Sequence, residues 1–144
     1  MNLKVVKLKD NAILPQYQTA GSAGADLHAC LDTPIVLQPM ERRMIPTGLA
    51  VAIPEGYELQ IRARSGMGIK HGITMVNGIG TIDADYRGEM GVLVINLGQE
   101  AFTIEPGMRI AQMVVAKYEV VKWAEVDLLD ETARGKGGFG SSGG

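Results

Sequence analysis

Disulfide bonding is the first thing this chain lacks. Its 144 residues hold a single cysteine, Cys30, so no internal disulfide framework staples it, which fits a reducing compartment. Most lone cysteines are buried filler rather than nucleophiles, and Cys30 is read that way. Long apolar runs are also missing. None approaches the roughly 20 residues needed to span a bilayer, and the N-terminus lacks the charged-then-apolar pattern of a signal peptide. The expectation is a soluble, cytoplasmic protein with no membrane partner. Excess positive charge is absent too: 14 Lys and Arg against 16 Asp and Glu leave a formal net charge of −2, which argues against nonspecific nucleic-acid binding. Helical periodicity is nearly absent.

What remains is a chain of one-domain length built from short alternating or apolar runs. Glu58 to Arg64 alternates well: Leu59, Ile61 and Ala63 point one way, Gln60, Arg62 and Arg64 the other. Further strands are predicted at Leu3–Leu8, Ala50–Ile53, Ile73–Val76, Gly80–Ile82, Gly91–Leu97, Ala101–Ile104, Arg109–Lys117 and Glu119–Val121. Turn signals such as Pro54-Glu55-Gly56 recur at about the 8–12-residue spacing of an all-β sandwich or barrel. One short helical turn is predicted at Met67–His71, with His71 exposed. Trp123 and the eight methionines read as core or interface packing. Residues 1–129 form the β-domain; residues 130–144 form a flexible glycine-rich tail, entered through a linker at about 127–132.

That tail, Arg134-Gly-Lys-Gly-Gly-Phe139-Gly-Ser141-Ser142-Gly-Gly144, is costly to order. It still carries two cations, one ring and two hydroxyls, a set suited to gripping phosphates and covering a flat base. The bland alternative is an unordered terminus. Two motif matches fail. Gly135, Gly137 and Gly140 fit G-x-G-x-x-G, but no helix can follow so near the end. Asp83 to Gly88 resembles the start of a calcium loop, yet Arg87 stands at its fifth position and Val94 at its twelfth.

Other segments carry candidate chemistry. At Arg64-Ser65-Gly66 a strand gives way to a helix start, where unpaired backbone N–H groups, a hydroxyl and a guanidinium suit a phosphate; simple N-capping by Ser65 is the rival reading. Asn77-Gly78 signals a hairpin. Asp83, beyond a strand end, can act as a general base for water, and it faces the same way as Asp85 if the extended form continues. Tyr86 offers a ring face. The rival here is a polar turn with Arg87 paired to an acid. Asp26, in Gly24-Ala25-Asp26-Leu27, reads either as a turn-former or as a holder of a hydrated metal's water shell. Arg109 and Gln112 are polar intrusions in an apolar strand, either rim residues or buried and hydrogen-bonded.

Taken in order, Ala23–Leu27, Arg64–Gly66, Gly80–Gly88, Gly107–Gln112 and Arg134–Gly143 resemble the five motifs of the trimeric dUTPase family. The resemblance covers essentially the whole chain. It implies a jelly-roll-like β-fold and a homotrimer whose three active sites each draw on three subunits. It also implies hydrolysis of dUTP to dUMP and pyrophosphate, limiting uracil incorporation into DNA and supplying dUMP for dTMP synthesis, with Mg²⁺ held mainly by the triphosphate and water. By the same resemblance Asp83 is the general base, while Asp85 is assigned no catalytic part. Tyr86 packs on deoxyribose. Asn77, Thr81, Ile82 and Asp83, with the return strand near Gly91, read uracil. Arg64, Ser65 and Gly66 contact phosphate, and Gln112 lies near the phosphates and attacking water. Asp26 orients the metal's waters without touching it. Phe139 covers the base, next to Gly140; Arg134, Ser141 and Ser142 reach the terminal phosphates. Ala63 stands where many members have proline, and Ser142 where threonine is common. Two rivals stay open: a dCTP deaminase or bifunctional deaminase on the same fold, and a trimer that binds dUTP without turnover.

Overall fold

The computed structural model describes residues 1–143; Gly144, the last residue of the tail, lies outside the described residues. Eleven strands and one helix follow in order: β1 Lys4–Lys7, β2 Ala25–His28, β3 Ile35–Leu37, β4 Arg42–Pro46, β5 Leu49–Ala52, β6 Tyr57–Arg62, α1 Ser65–His71, β7 Ile73–Met75, β8 Gly80–Ile82, β9 Gly91–Asn96, β10 Phe102–Ile104 and β11 Arg109–Lys117. A four-stranded sheet, ordered β2-β11-β6-β8, and a three-stranded sheet, β4-β9-β7, are joined by the pairs β1-β5 and β10-β3. Every pairing is antiparallel. The result is the expected jelly-roll-like all-β fold with one short helix.

The β6 alternation comes out as predicted. Leu59 and Ile61 are fully buried, while on the outer face Arg62 donates to Gln60 Oε1 at 2.6 Å. Their core neighbours include Leu27 of β2 and Val92 and Val94 of β9. Two polar side chains lie inside this core and are satisfied there. Asn96 Nδ2 donates to Leu37 O at 3.0 Å and Glu100 O at 2.8 Å, and its Oδ1 accepts from Gly98 N–H at 2.8 Å. Thr47 Oγ1 donates to Met90 O at 2.7 Å. Helix α1 ends where Gly72 enters the left-handed region at φ 68°, and a Cβ there would collide with the backbone of Gly98. Glycine is required on both counts.

Several expectations are corrected. Strands β2, β3 and β4 carry no clear alternation and were not predicted; β2 is buried at all four positions, so it shows no polar face to read. Asp26 is therefore a strand residue, not a turn-former. No strand forms at 119–121: β11 ends at Lys117, and Val120 stays 82% exposed without a strand partner. Trp123 is 93% exposed, so it is not core. Asn77-Gly78 does not close a hairpin between its flanking strands, because β7 pairs with β9 and β8 with β6. The hairpin is instead β7–β9, with 76–90 as its long loop and Gly91 opening the return strand. His71 is exposed as expected, its ring 4.9 Å from that of Phe102.

Candidate active site

The four-stranded sheet carries two groups of candidate residues, one at each end of β6. At the C-terminal end the antiparallel register sets Gln112 of β11 opposite both Asp26 of β2 and Arg62 of β6. Two residues on, β6 leads through Arg64 into α1. Asp26 is 7% exposed, and its two carboxylate oxygens are divided between two cations: Oδ1 lies 3.4 Å from Arg64 Nε and Oδ2 3.2 Å from Arg109 Nη1. Arg64 also donates to Arg109 O at 3.1 Å. A pocket of about 350 Å³ opens over this cluster, with Ser65, Gly66 and Gln112 in its wall. Two guanidiniums against one carboxylate leave it one net positive charge, which suits an anion. The Ser65 hydroxyl does not cap α1; the N-cap position is Arg64, in extended backbone with no side-chain cap bond.

The other end of β6 is acidic. Strand β8 stops at Ile82, and the chain turns at once, Tyr86 N–H donating to Asp83 O at 3.1 Å. The extended form does not continue, so alternation no longer relates Asp83 to Asp85. Both line an open groove of about 790 Å³ with Glu55, Glu58 and Arg87. The polar turn of the rival reading forms, but among the described residues Arg87 pairs with no acid; it donates to the carbonyls of Ala84 at 2.6 Å and Tyr86 at 2.9 Å. Tyr86 donates its hydroxyl to Glu89 O at 2.9 Å, and its ring lies so close over Gly88 that a Cβ there would collide with it. Asn77 and Thr81 are exposed near this loop's start, Ile82 half-buried.

The tail joins neither group. Among the described residues its hydrogen bonds are all local, as in Arg134 Nε to Gly137 O at 2.9 Å and Ser141 N–H to Gly138 O at 3.0 Å. Phe139 and Arg134 are exposed, as are Gly140, Ser141 and Ser142. The structure thus brings Asp26, Arg64, Ser65, Gly66 and Gln112 together, and sets Asp83 and Tyr86 apart from them. The tail residues stand apart from both.

Sequence reasoning left two residues of the cationic end without a role. Arg109 is the second partner of Asp26, 83 positions away, a pairing no local pattern signals. His28 lies on β2 two residues beyond Asp26, 8% exposed, and its Nδ1 has no hydrogen-bond partner among the described residues. Burial pushes His28 below its ordinary pKa; Asp26 opposes that shift, and Arg109 and Arg64 add to it. His28 also stands two residues before Cys30, but the Cys30 thiol donates to Asn11 Oδ1 at 3.3 Å. Burial raises that thiol's pKa, which keeps it protonated and inert, as filler should be.

A family model described as dUTPase matches residues 10–143. A deoxyuridine 5'-triphosphate nucleotidohydrolase of Finegoldia magna is 54% identical over 143 residues, covering 99% of each chain. A mutant Staphylococcus bacteriophage 80alpha dUTPase with dUpNHpp superimposes with a TM-score of 0.90 at 29% identity, over 99% of this chain and 98% of that one. A mutant dUTPase from phage phi11 of S. aureus, whose structure reveals the coordination of a structural Mg(II) ion, matches with a TM-score of 0.80 at 27% identity, over 89% of this chain and 98% of that one.

Proposed function

The chain belongs to the dUTPase family and is a hydrolase of dUTP, and we propose that it works at sites assembled from three copies of itself. The observation that carries this reading is the spacing along β6. Extending the β6–β8 register by one residue sets Asp83 beside Glu58. From there to Arg64 is six residues, or about 20 Å at the rise of a strand. A base that far from the phosphate-binding cations cannot serve them within one chain, whereas a neighbouring copy can present its Asp83 to the cradle. Unpartnered apolar surface supports association: Val120, Trp123, Leu128 and Leu129 are all strongly exposed, more than an isolated soluble chain usually leaves uncovered.

In this reading the cradle binds the triphosphate through Arg64, Ser65 and Gly66. The neighbour's loop supplies Asn77, the backbone of Thr81 to Asp83 and the start of β9 at Gly91 for uracil, with the Tyr86 ring beneath deoxyribose. A slot of backbone donors and acceptors rejects cytosine, because each unpaired polar group costs about 1–3 kcal/mol. Asp83 accepts a proton from water as the water oxygen bonds to the α-phosphorus. The bond from that phosphorus to the bridging oxygen breaks, giving dUMP and pyrophosphate. The third copy's tail closes with Phe139 and Gly140 over the base, and with Arg134, Ser141 and Ser142 at the terminal phosphates, excluding bulk water.

The residues present fit Mg²⁺ held from outside its first shell. Asp26 is the only carboxylate in the cradle wall, and its oxygens already face two arginines. No group of three or more metal-binding side chains occurs among the described residues. The ion would rest on the triphosphate and its own waters, with Asp26 orienting those waters. When bound it offsets charge on the phosphates and the departing pyrophosphate. No helix among the described residues is long and apolar enough to cross a membrane, and the proposed setting is the cytoplasm, where the reaction limits uracil in DNA and supplies dUMP.

Pyrophosphate release from dUTP, dCTP, dTTP and UTP, paired with sedimentation, tests the whole reading. Rapid turnover of dUTP alone by a trimeric species is expected. Full activity in isolated single chains would refute the shared site, and ammonia release from dCTP would move the protein to the deaminase branch.

A further inference from the structure

We infer that Gly24 is a positioning residue for hydrolysis, holding open the space that fixes how the Gln112 carboxamide faces the pocket. The inference rests on the reading, carried by the family resemblance, that Gln112 lies near the phosphates and the attacking water. Gln112 lies on β11 directly across from Asp26, and its side chain runs back over Gly24. An ideal Cβ built on Gly24 would overlap Gln112 Oε1 outright and stand 3.1 Å from its Cδ and 3.3 Å from its Cβ. Those three atoms span the side chain from root to tip, so any residue larger than glycine intrudes along its length.

The other face of the amide is tied down. Gln112 Nε2 donates to the carbonyl of Ala63 at 3.2 Å, in the short link between β6 and Arg64. With one N–H engaged there, the amide is held with Oε1 on the Gly24 side, leaving Oε1 and the second N–H to offer. Oε1 can accept one O–H of a water whose other O–H points to the Asp83 carboxylate of a neighbouring copy, which leaves a lone pair free to meet phosphorus. Gly24 and the Ala63 carbonyl thus act as the two jaws that set this orientation.

The strain of a Gly24→Ala change falls on function rather than on the fold. The overlapped atom is the far end of a flexible side chain beside an open pocket, not backbone. Gly24 is also absent from the residues with positive φ, so alanine fits its backbone without strain. Gln112 relieves the overlap by swinging away, losing the Ala63 bond and misplacing Oε1. Misplacement of a reacting group by about 1 Å can cost up to about 100-fold in rate.

The test is a double-mutant cycle on the assembled enzyme with dUTP and Mg²⁺, reading kcat, KM and melting temperature. Gly24→Ala is expected to lower kcat about 10- to 100-fold with KM and melting temperature nearly unchanged. Gln112→Ala is expected to lower kcat similarly. Gly24→Ala/Gln112→Ala is expected to be no slower than Gln112→Ala, because Oε1 and Cδ are gone and the Cβ that remains stands 3.3 Å away, a contact a shift of a few tenths of an ångström relieves. A wild-type kcat for Gly24→Ala beside a slow Gln112→Ala overturns the inference alone. A wild-type kcat for Gln112→Ala overturns the reading of Gln112 and the inference with it. Multiplied losses in the double variant mean that Gly24 acts through something else. If Gly24→Ala fails to fold, the double variant measured against Gln112→Ala still decides between these outcomes.

Discussion

Two carboxylates of this chain differ in every respect that matters. Asp26 is buried on β2, the outer strand of the four-stranded sheet beside β11, with an arginine on each oxygen. Asp83 is exposed in a turn, and no side chain among the described residues bonds or pairs with its carboxylate. An acid whose oxygens are already taken by guanidiniums is a structural anion: it spaces the two cations and orders what they bind. An acid with free lone pairs can receive a proton from water. On the proposed reading, one sheet holds the binding half of the site at one end of β6 and the reactive half at the other, and a second copy brings the two together.

The largest test of this contrast is Asp83→Asn, which should cut dUTP turnover by about 10³-fold or more while leaving the melting temperature unchanged. A normal rate would remove Asp83 from the chemistry. Deleting the residues after Thr132 comes next, with about 100-fold lower pyrophosphate release expected and an unaltered thermal transition, since among the described residues no tail hydrogen bond reaches the β-domain. The converse pattern belongs to Asp26→Ala. It leaves two arginines facing each other without their anion, and should cost about 1–3 kcal/mol of stability, discounted from a fully buried pair because both guanidiniums reach solvent. Denaturant unfolding reads that loss, and nucleotide affinity should fall with it. The smallest effect is Tyr86→Phe. It keeps the ring but loses the bond to Glu89 O, so it should cost about 0.5–1 kcal/mol and change kcat less than about threefold. A large rate loss there would show that the hydroxyl does more than hold the ring in place.

Much of the fold was legible where side chains alternate or turn residues punctuate. Strand β6, the helix after Ser65, β8, β9 and β11 all lie where the pattern put them. Buried and charged strands were not legible. Ala25-Asp26-Leu27-His28 has no polar face, and Arg42-Arg43-Met44 shows three exposed side chains in a row. The run at 119–121 misled in the opposite direction: its valines have strand character but no strand partner among the described residues. For the site, order along the sequence was enough to collect the motifs, but not to place them. The Asp26–Arg109 pairing and the Gly24–Gln112 contact are products of strand register, which composition does not encode. The separation of Asp83 from the cradle needed the β6–β8 pairing as a ruler.

That ruler has a genetic consequence. If acid and cradle of one site come from different chains, a lesion in either need not be fatal in company. Co-expressed Asp83→Asn and Arg64→Ala chains, each inert alone, would recover activity as mixed assemblies, because some clefts in them would join an intact acid to an intact cradle.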